Sequence, residues 1–141
     1  MRIHDEATND IQISTPEGWP TINVSGFQDD FSIDDKVSSE KLKDLLTLAV
    51  SEIVNCFDES LMLFPMEGVE VGYFRRAVYQ LAYAKLIPEL PVNRQHKSEP
   101  QDVNTIRERI AFFEGLSVEN RKCIKGFKSE SVEHLVSFGL I

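Results

Sequence analysis

The three histidines and two cysteines are the natural places to look for metal or nucleophilic chemistry, and their spacing supports neither. His4, His96 and His134 lie far apart, in an N-terminal arm, a loop and a tail. None has a second histidine or a cysteine at metal-ligand spacing, so solvated or capping roles are expected of them. Cys56 and Cys123 sit in helical patterns among apolar neighbours. Two cysteines are too few for the disulfide framework of a small secreted domain, and both are expected as buried free thiols made in a reducing cytoplasm. Asp29, Asp30, Asp34 and Asp35 suggest a cation, but they lack the glycine and closing glutamate of a calcium loop. They read as a solvated acidic approach to a helix, or as a patch that meets a basic partner. No nucleophile elbow, phosphate loop or dinucleotide fingerprint occurs. The sequence therefore nominates no catalytic residue, no cofactor-binding residue and no metal ligand, and the chain is not expected to be an enzyme.

Arginines offer a different chemistry, that of interfaces. Arg75 and Arg76 follow Tyr73 and Phe74, and arginine beside aromatics is typical of protein contacts. One reading leaves one arginine exposed and the other lying along the bundle. The other makes them an intersubunit salt bridge, or a contact to DNA in a lumen. Farther on, Arg107, Arg109, Arg121, Lys122, Lys125 and Lys128 make a basic region. Residues 1–35 hold eight acids against Arg2 alone, so nearly all of the net charge of −8 sits there. Two such poles suit either a mixed, solvated surface or a head-to-tail contact between copies in a ring.

These residues must be positioned by helices. Leu42, Leu45, Leu46, Ala49, Ile53 and Cys56 recur at helical spacing and predict a first long helix over residues 39–57, capped by Ser38 or Ser39. Leu48, Val50, Val54 and Phe57 widen its apolar stripe, which asks for cover by other helices or by a neighbouring subunit. Tyr73, Phe74, Ala77, Val78, Leu81, Ala82 and Leu86 predict a second helix over 69–87, ended by Pro88. Ser98-Glu-Pro-Gln101 matches a capping box before a third helix reaching Lys122, with Val103, Ile106, Ile110, Phe113 and Leu116 inward. Ser129 or Ser131 can start a last short helix through Phe138, and the apolar Leu140 and Ile141 are expected to dock on something. Before these helices, Ile11–Ile13 and Thr21–Val24 alternate briefly, as short strands or extended pieces pinned by Trp19 and Phe27.

The fold class that follows is all-α. It is a small antiparallel bundle of three to four helices over residues 36–125, with an irregular acidic arm over 1–35 and a tail over 126–141. Ordinary shares of apolar (42%) and charged (27%) residues exclude wholesale disorder. A pI near 4.9 argues against sequence-independent DNA binding, which needs a cationic surface. Met-Arg-Ile-His-Asp-Glu begins no signal peptide, and the longest dense apolar run, Leu61–Phe64, is too short for a bilayer, so no membrane role is expected.

Three segments resemble the head-completion protein of temperate contractile-tailed phages, the protein L family. Val37-Ser-Ser-Glu-Lys-Leu-Lys-Asp-Leu-Leu is similar to the start of that family's first long helix. Tyr73-Phe-Arg-Arg-Ala-Val-Tyr-Gln-Leu-Ala-Tyr-Ala-Lys-Leu is similar to its aromatic–Arg–Ala–Val helix, and Asp102-Val-Asn-Thr-Ile-Arg-Glu-Arg-Ile to its last long helix. Their order and separation carry the likeness over about two thirds of the chain, while the acidic arm matches nothing and the tail only loosely. The resemblance implies a virion protein of the neck, made in the host cytoplasm, that binds under the portal after DNA packaging. It implies a ring of about twelve copies that continues the DNA channel and meets the next neck or tail-completion protein. DNA is then a partner only in passage. Carried over, Phe127, Phe138, Leu140 and Ile141 are candidate portal contacts, and Arg75 and Arg76 candidate ring-interface or lumen residues. The alternative is a small helical regulator that binds DNA or another protein. It would rely on the third helix, whose basic residues are interrupted by Glu108, Glu114 and Glu119.

Overall fold

A computed structural model describes residues 10–58, 65–90 and 100–128, with residues 100–102 described by their backbone alone. Among the described residues the chain is mostly helical, with four helices and one small two-stranded sheet. The elements are β1 (Gln12–Ile13), β2 (Ile22–Asn23), α1 (Val24–Asp30), α2 (Ser39–Val54), α3 (Val69–Leu86) and α4 (Pro100–Lys122), with a 3-10 turn at Ile87–Glu89 after α3. β1 and β2 pair antiparallel, Ile13 opposite Ile22.

α2 begins where the sequence places a cap. The Ser38 hydroxyl accepts a hydrogen bond from the Lys41 amide at 3.1 Å, satisfying one of the orphan donors of the first turn. Leu42, Leu45, Leu46, Ala49, Val50 and Ile53 are all buried along it. α3 buries Phe74, Ala77, Val78, Tyr79, Leu81, Ala82, Ala84 and Leu86, which leaves it buried on more than one side. It is the central helix, packed on α2 and α4. α4 runs back along α3: Phe113 meets Tyr83, the Ser117 hydroxyl meets the Ala77 carbonyl, and the Lys125 amide meets Glu70. The expected inward stripe of α4 (Val103, Ile106, Ile110, Phe113, Leu116) is half-buried, and the fully buried positions lie later, at Ser117 and Arg121.

The expected irregular arm needs correction from residue 10 onward. Ile13, Ile22, Val24, Phe27 and Ile33 are core residues. The two alternating segments are the two strands, and a short helix that the turn-forming residues hid follows them as α1. Asn23 precedes this helix without capping it; Asp10 does so instead, its Oδ1 accepting from the Ser25 amide at 3.3 Å. Phe27 stacks near Tyr79, and Phe31 stacks on Tyr83 at 4.5 Å between ring centroids. Trp19 stands edge-on to both Phe57 and Phe74, so it and Phe27 pin this segment as expected.

That packing also answers the question posed by the wide stripe of α2. Val50, Cys56 and Phe57 are buried and Val54 packs against the core, within one chain. The N-terminal segment supplies cover that the sequence left to another helix or another subunit. Leu48, Val69 and Phe112 are the large apolar side chains that stay exposed among the described residues. The expected helix after residue 128 lies outside the described residues, as do Ser98 and Glu99 of the capping box at 98–101, while Pro100 and Gln101 form the start of α4.

Candidate interaction surfaces

Arg75 and Arg76 occupy the outward side of the same turns whose inward side is buried core. Phe74, Ala77 and Val78 are buried, while both arginines are exposed. The Arg75 Nε donates to the Thr21 carbonyl at 3.2 Å and so ties α3 to the segment entering β2. The Arg76 guanidinium lies over the Tyr73 ring, 5.7 Å from its centroid, a cation–π contact that still leaves it open to solvent. The structure thus brings the two arginines together on one outer surface and gives neither a carboxylate partner among the described residues.

The basic region of α4 is divided. Arg107, Lys122, Lys125 and Lys128 are exposed, but Arg121 is 3% exposed, which corrects its expected place on a charged pole. Burying a guanidinium is costly unless it is hydrogen-bonded. Its Nε and Nη2 donate to the Ser117 hydroxyl at 3.2 and 3.1 Å, and its Nη1 reaches the Cys56 sulfur at 3.6 Å. Ser117 in turn donates to the Ala77 carbonyl at 2.7 Å. One polar node therefore joins α3, α4 and the end of α2. The spacing of Ser117 and Arg121, one helical turn apart, was the available sign of it; the direction in which they point was not.

The two thiols part company. Cys56 is buried, its Sγ donating to the Glu52 carbonyl at 3.2 Å, whereas Cys123 is exposed. The expectation that both are buried fails at Cys123 because α4 ends one residue earlier, and the chain turns there to bury Ile124 instead.

Phe127, the described candidate among the tail residues, is half-buried and packs edge-on against Phe57, at 5.8 Å between centroids. Phe138, Leu140 and Ile141 lie outside the described residues. Of the acidic group, Asp34 accepts from the Lys36 amide and Asp35 from the Gln28 side chain, which is how a solvated approach to α2 behaves. No cluster of three or more potential metal ligands occurs among the described residues. No described helix is long and apolar enough to cross a membrane. An open cleft of about 370 Å³ lies between the start of α2 and the end of α3, lined by the apolar Val37, Leu86 and Leu90 and by the charged Asp34, Lys36, Lys41 and Glu89.

Tyr79 is the described group whose titration is clearly displaced. Burial pushes its phenol above the usual 10.0, against the opposing hydrogen bond to the Asn23 carbonyl. It faces the close approach of Gly26 inside the core, so it reads as a packing group rather than a reactive one. Compared with known proteins, the chain matches no family model, no curated protein and no solved structure.

Proposed function

We propose that this chain is a structural subunit of a larger assembly, and specifically a phage head-completion protein that acts as a head–tail adaptor. In this reading it is a small antiparallel bundle, about twelve copies of which form a ring under the portal. The ring carries the DNA channel on to the next neck protein. The observation that supports it best is the facial division of the aromatic–Arg–Arg–Ala–Val segment. The motif that carries the family resemblance buries its apolar members and turns Arg75 and Arg76 outward, beside Tyr73. That is the composition of a contact surface, and it suits a ring interface or a lumen wall. Exposed Leu48, Val69 and Phe112 add apolar area for neighbours, although the core itself no longer requires them.

The regulator reading is weaker on this geometry. With Arg121 turned inward, the exposed cations of α4 alternate with exposed Glu108, Glu114 and Glu119, which is a poor match to a phosphate backbone.

The test is to mix the purified chain with portal protein and to image the neck of particles. A ring on the portal, lost when Arg75 and Arg76 are both replaced by glutamate, is the expected result. A chain that never binds a portal and never enters particles overturns the proposal.

A further inference from the structure

Two exposed rows, one on α3 and one on α2, match each other in charge and spacing. On α3, Val69 is 76% exposed and Arg76 is exposed seven residues later, its guanidinium over the half-buried Tyr73 ring that lies between them. On α2, Leu48 is 54% exposed and shares a line with the exposed Asp44 and Glu40, four and eight residues before it. Neither carboxylate meets a cation among the described residues, and Arg76 meets no carboxylate there. The nearest opposing charges lie off both lines. Lys43 points about 100° round the helix from Asp44, and Glu70 about 100° round from Val69, where it accepts from the Lys125 amide at 2.7 Å.

The two rows cannot meet within one chain. Lys85 marks the side of α3 that faces α2, through its ion pair with Glu52 at 2.7 Å. Arg76 lies nine residues before Lys85, and Val69 sixteen. At about 100° per residue, both fall within about 20° of the opposite side of α3, so α3 itself stands between them and α2. Their spacing nevertheless agrees. Val69 and Arg76 are about 10.5 Å apart along α3, while Asp44 and Glu40 stand about 6 and 12 Å from Leu48 along α2. With Val69 set on Leu48 and the helices antiparallel, Arg76 falls between the two carboxylates.

We propose that the Val69–Arg76 row of one copy docks antiparallel on the Glu40–Asp44–Leu48 row of a second copy, apolar on apolar and cation between anions. The contact joins two different faces, so it is heterologous and repeats from copy to copy until the rotation closes a ring. The charges steer the encounter and fix the register. This inference rests on the reading of the chain as a ring subunit and deepens it. Arg76 becomes an interface residue rather than a lumen wall, and its partner is named.

The test is sedimentation of the isolated chain over a range of concentrations, in low and in molar salt. The expected result is self-association that weakens as salt screens the rows. Arg76→Glu, and separately Glu40→Lys with Asp44→Lys, should each weaken it by at least about tenfold, with circular dichroism and urea midpoints confirming that the exposed substitutions leave the fold intact. Mixing the two variants should restore association close to that of the unmodified chain, because alternating copies pair unmodified row with unmodified row and reversed row with reversed row. A misfolded variant could not be rescued in this way. Leu48→Ser should weaken association, whereas Phe112→Ser, at an exposed apolar residue outside both rows, should leave it unchanged. A chain that stays monomeric at every concentration in low salt, or a mixture that associates no better than its separate variants, overturns the contact. These readouts use the chain alone and answer for the contact between copies, while portal binding answers for the adaptor.

Discussion

Gly26 and Tyr79 show how tightly single residues are set against each other in this core. A Cβ added at Gly26 would stand 2.6 Å from the Tyr79 hydroxyl oxygen, and 3.5 Å from the ring carbon that bears it. The hydroxyl is itself engaged, donating to the Asn23 carbonyl. Gly26→Ala should therefore destabilise the chain by about 1–3 kcal/mol in urea unfolding, despite the better helix propensity of alanine. In a Tyr79→Phe background the same substitution should cost much less, because the clashing atom is gone. Equal costs in the two backgrounds would show that the close approach is not the cause. Gly26 is visible in the sequence as a turn-former, but its partner, 53 positions away, is not.

At the scale of elements, the instructive case is the segment from β1 to α1. Its acids and its four interrupting glycines and prolines give it the look of an arm. Its few apolar residues nevertheless reach the core one by one: Ile13 and Ile22 across the strand pair, Val24 and Phe27 from α1. Periodicity is blind to this, because seven residues of helix and two pairs of strand residues are too short to show a period. Phe27 is fully buried against Phe31 and Tyr79. Phe27→Ala should cost about 3–5 kcal/mol, the loss expected of a central core aromatic. A change below about 1 kcal/mol in the same urea titration would mean that the segment is an appendage after all. α3, by contrast, was legible to within a residue, and α2 at its start, though it ends at Val54 rather than at residue 57; long amphipathic runs with a serine cap before one and a proline after the other leave little freedom.

For the molecule as a whole, stability should fall on the alkaline side through Tyr79. Its pKa is raised in the fold, chiefly by burial, so the folded state holds the phenolic proton more tightly than the unfolded chain does. The associated stability is complete below the ordinary value of 10.0 and is lost as the pH rises from there through the folded value. Urea midpoints at pH 8 and above 10 should therefore diverge, and Tyr79→Phe should flatten the difference. An unchanged alkaline slope in that variant would assign the loss to other groups. At this scale too the molecule is less dependent on company than its stripes imply. Apart from Leu48, the apolar residues of α2 find cover within the chain, and what remains for partners is a handful of exposed side chains and the outward arginines of α3.

Sequence alone determined the long helices, the cap at Ser38, the pinning roles of Trp19 and Phe27, and the nearness of Arg75 and Arg76 to an aromatic. All of these depend on neighbours within a turn or two of helix, or on the bulk of one ring. Tertiary structure decided which of two like residues is hidden: Arg121 but not Lys122, Cys56 but not Cys123, Phe113 more than Phe112. Each of those choices is made by a surface supplied from far along the chain. Local pattern says that a side chain exists at a given angle, and only the packed whole says whether a hydrogen-bond partner or water will meet it there.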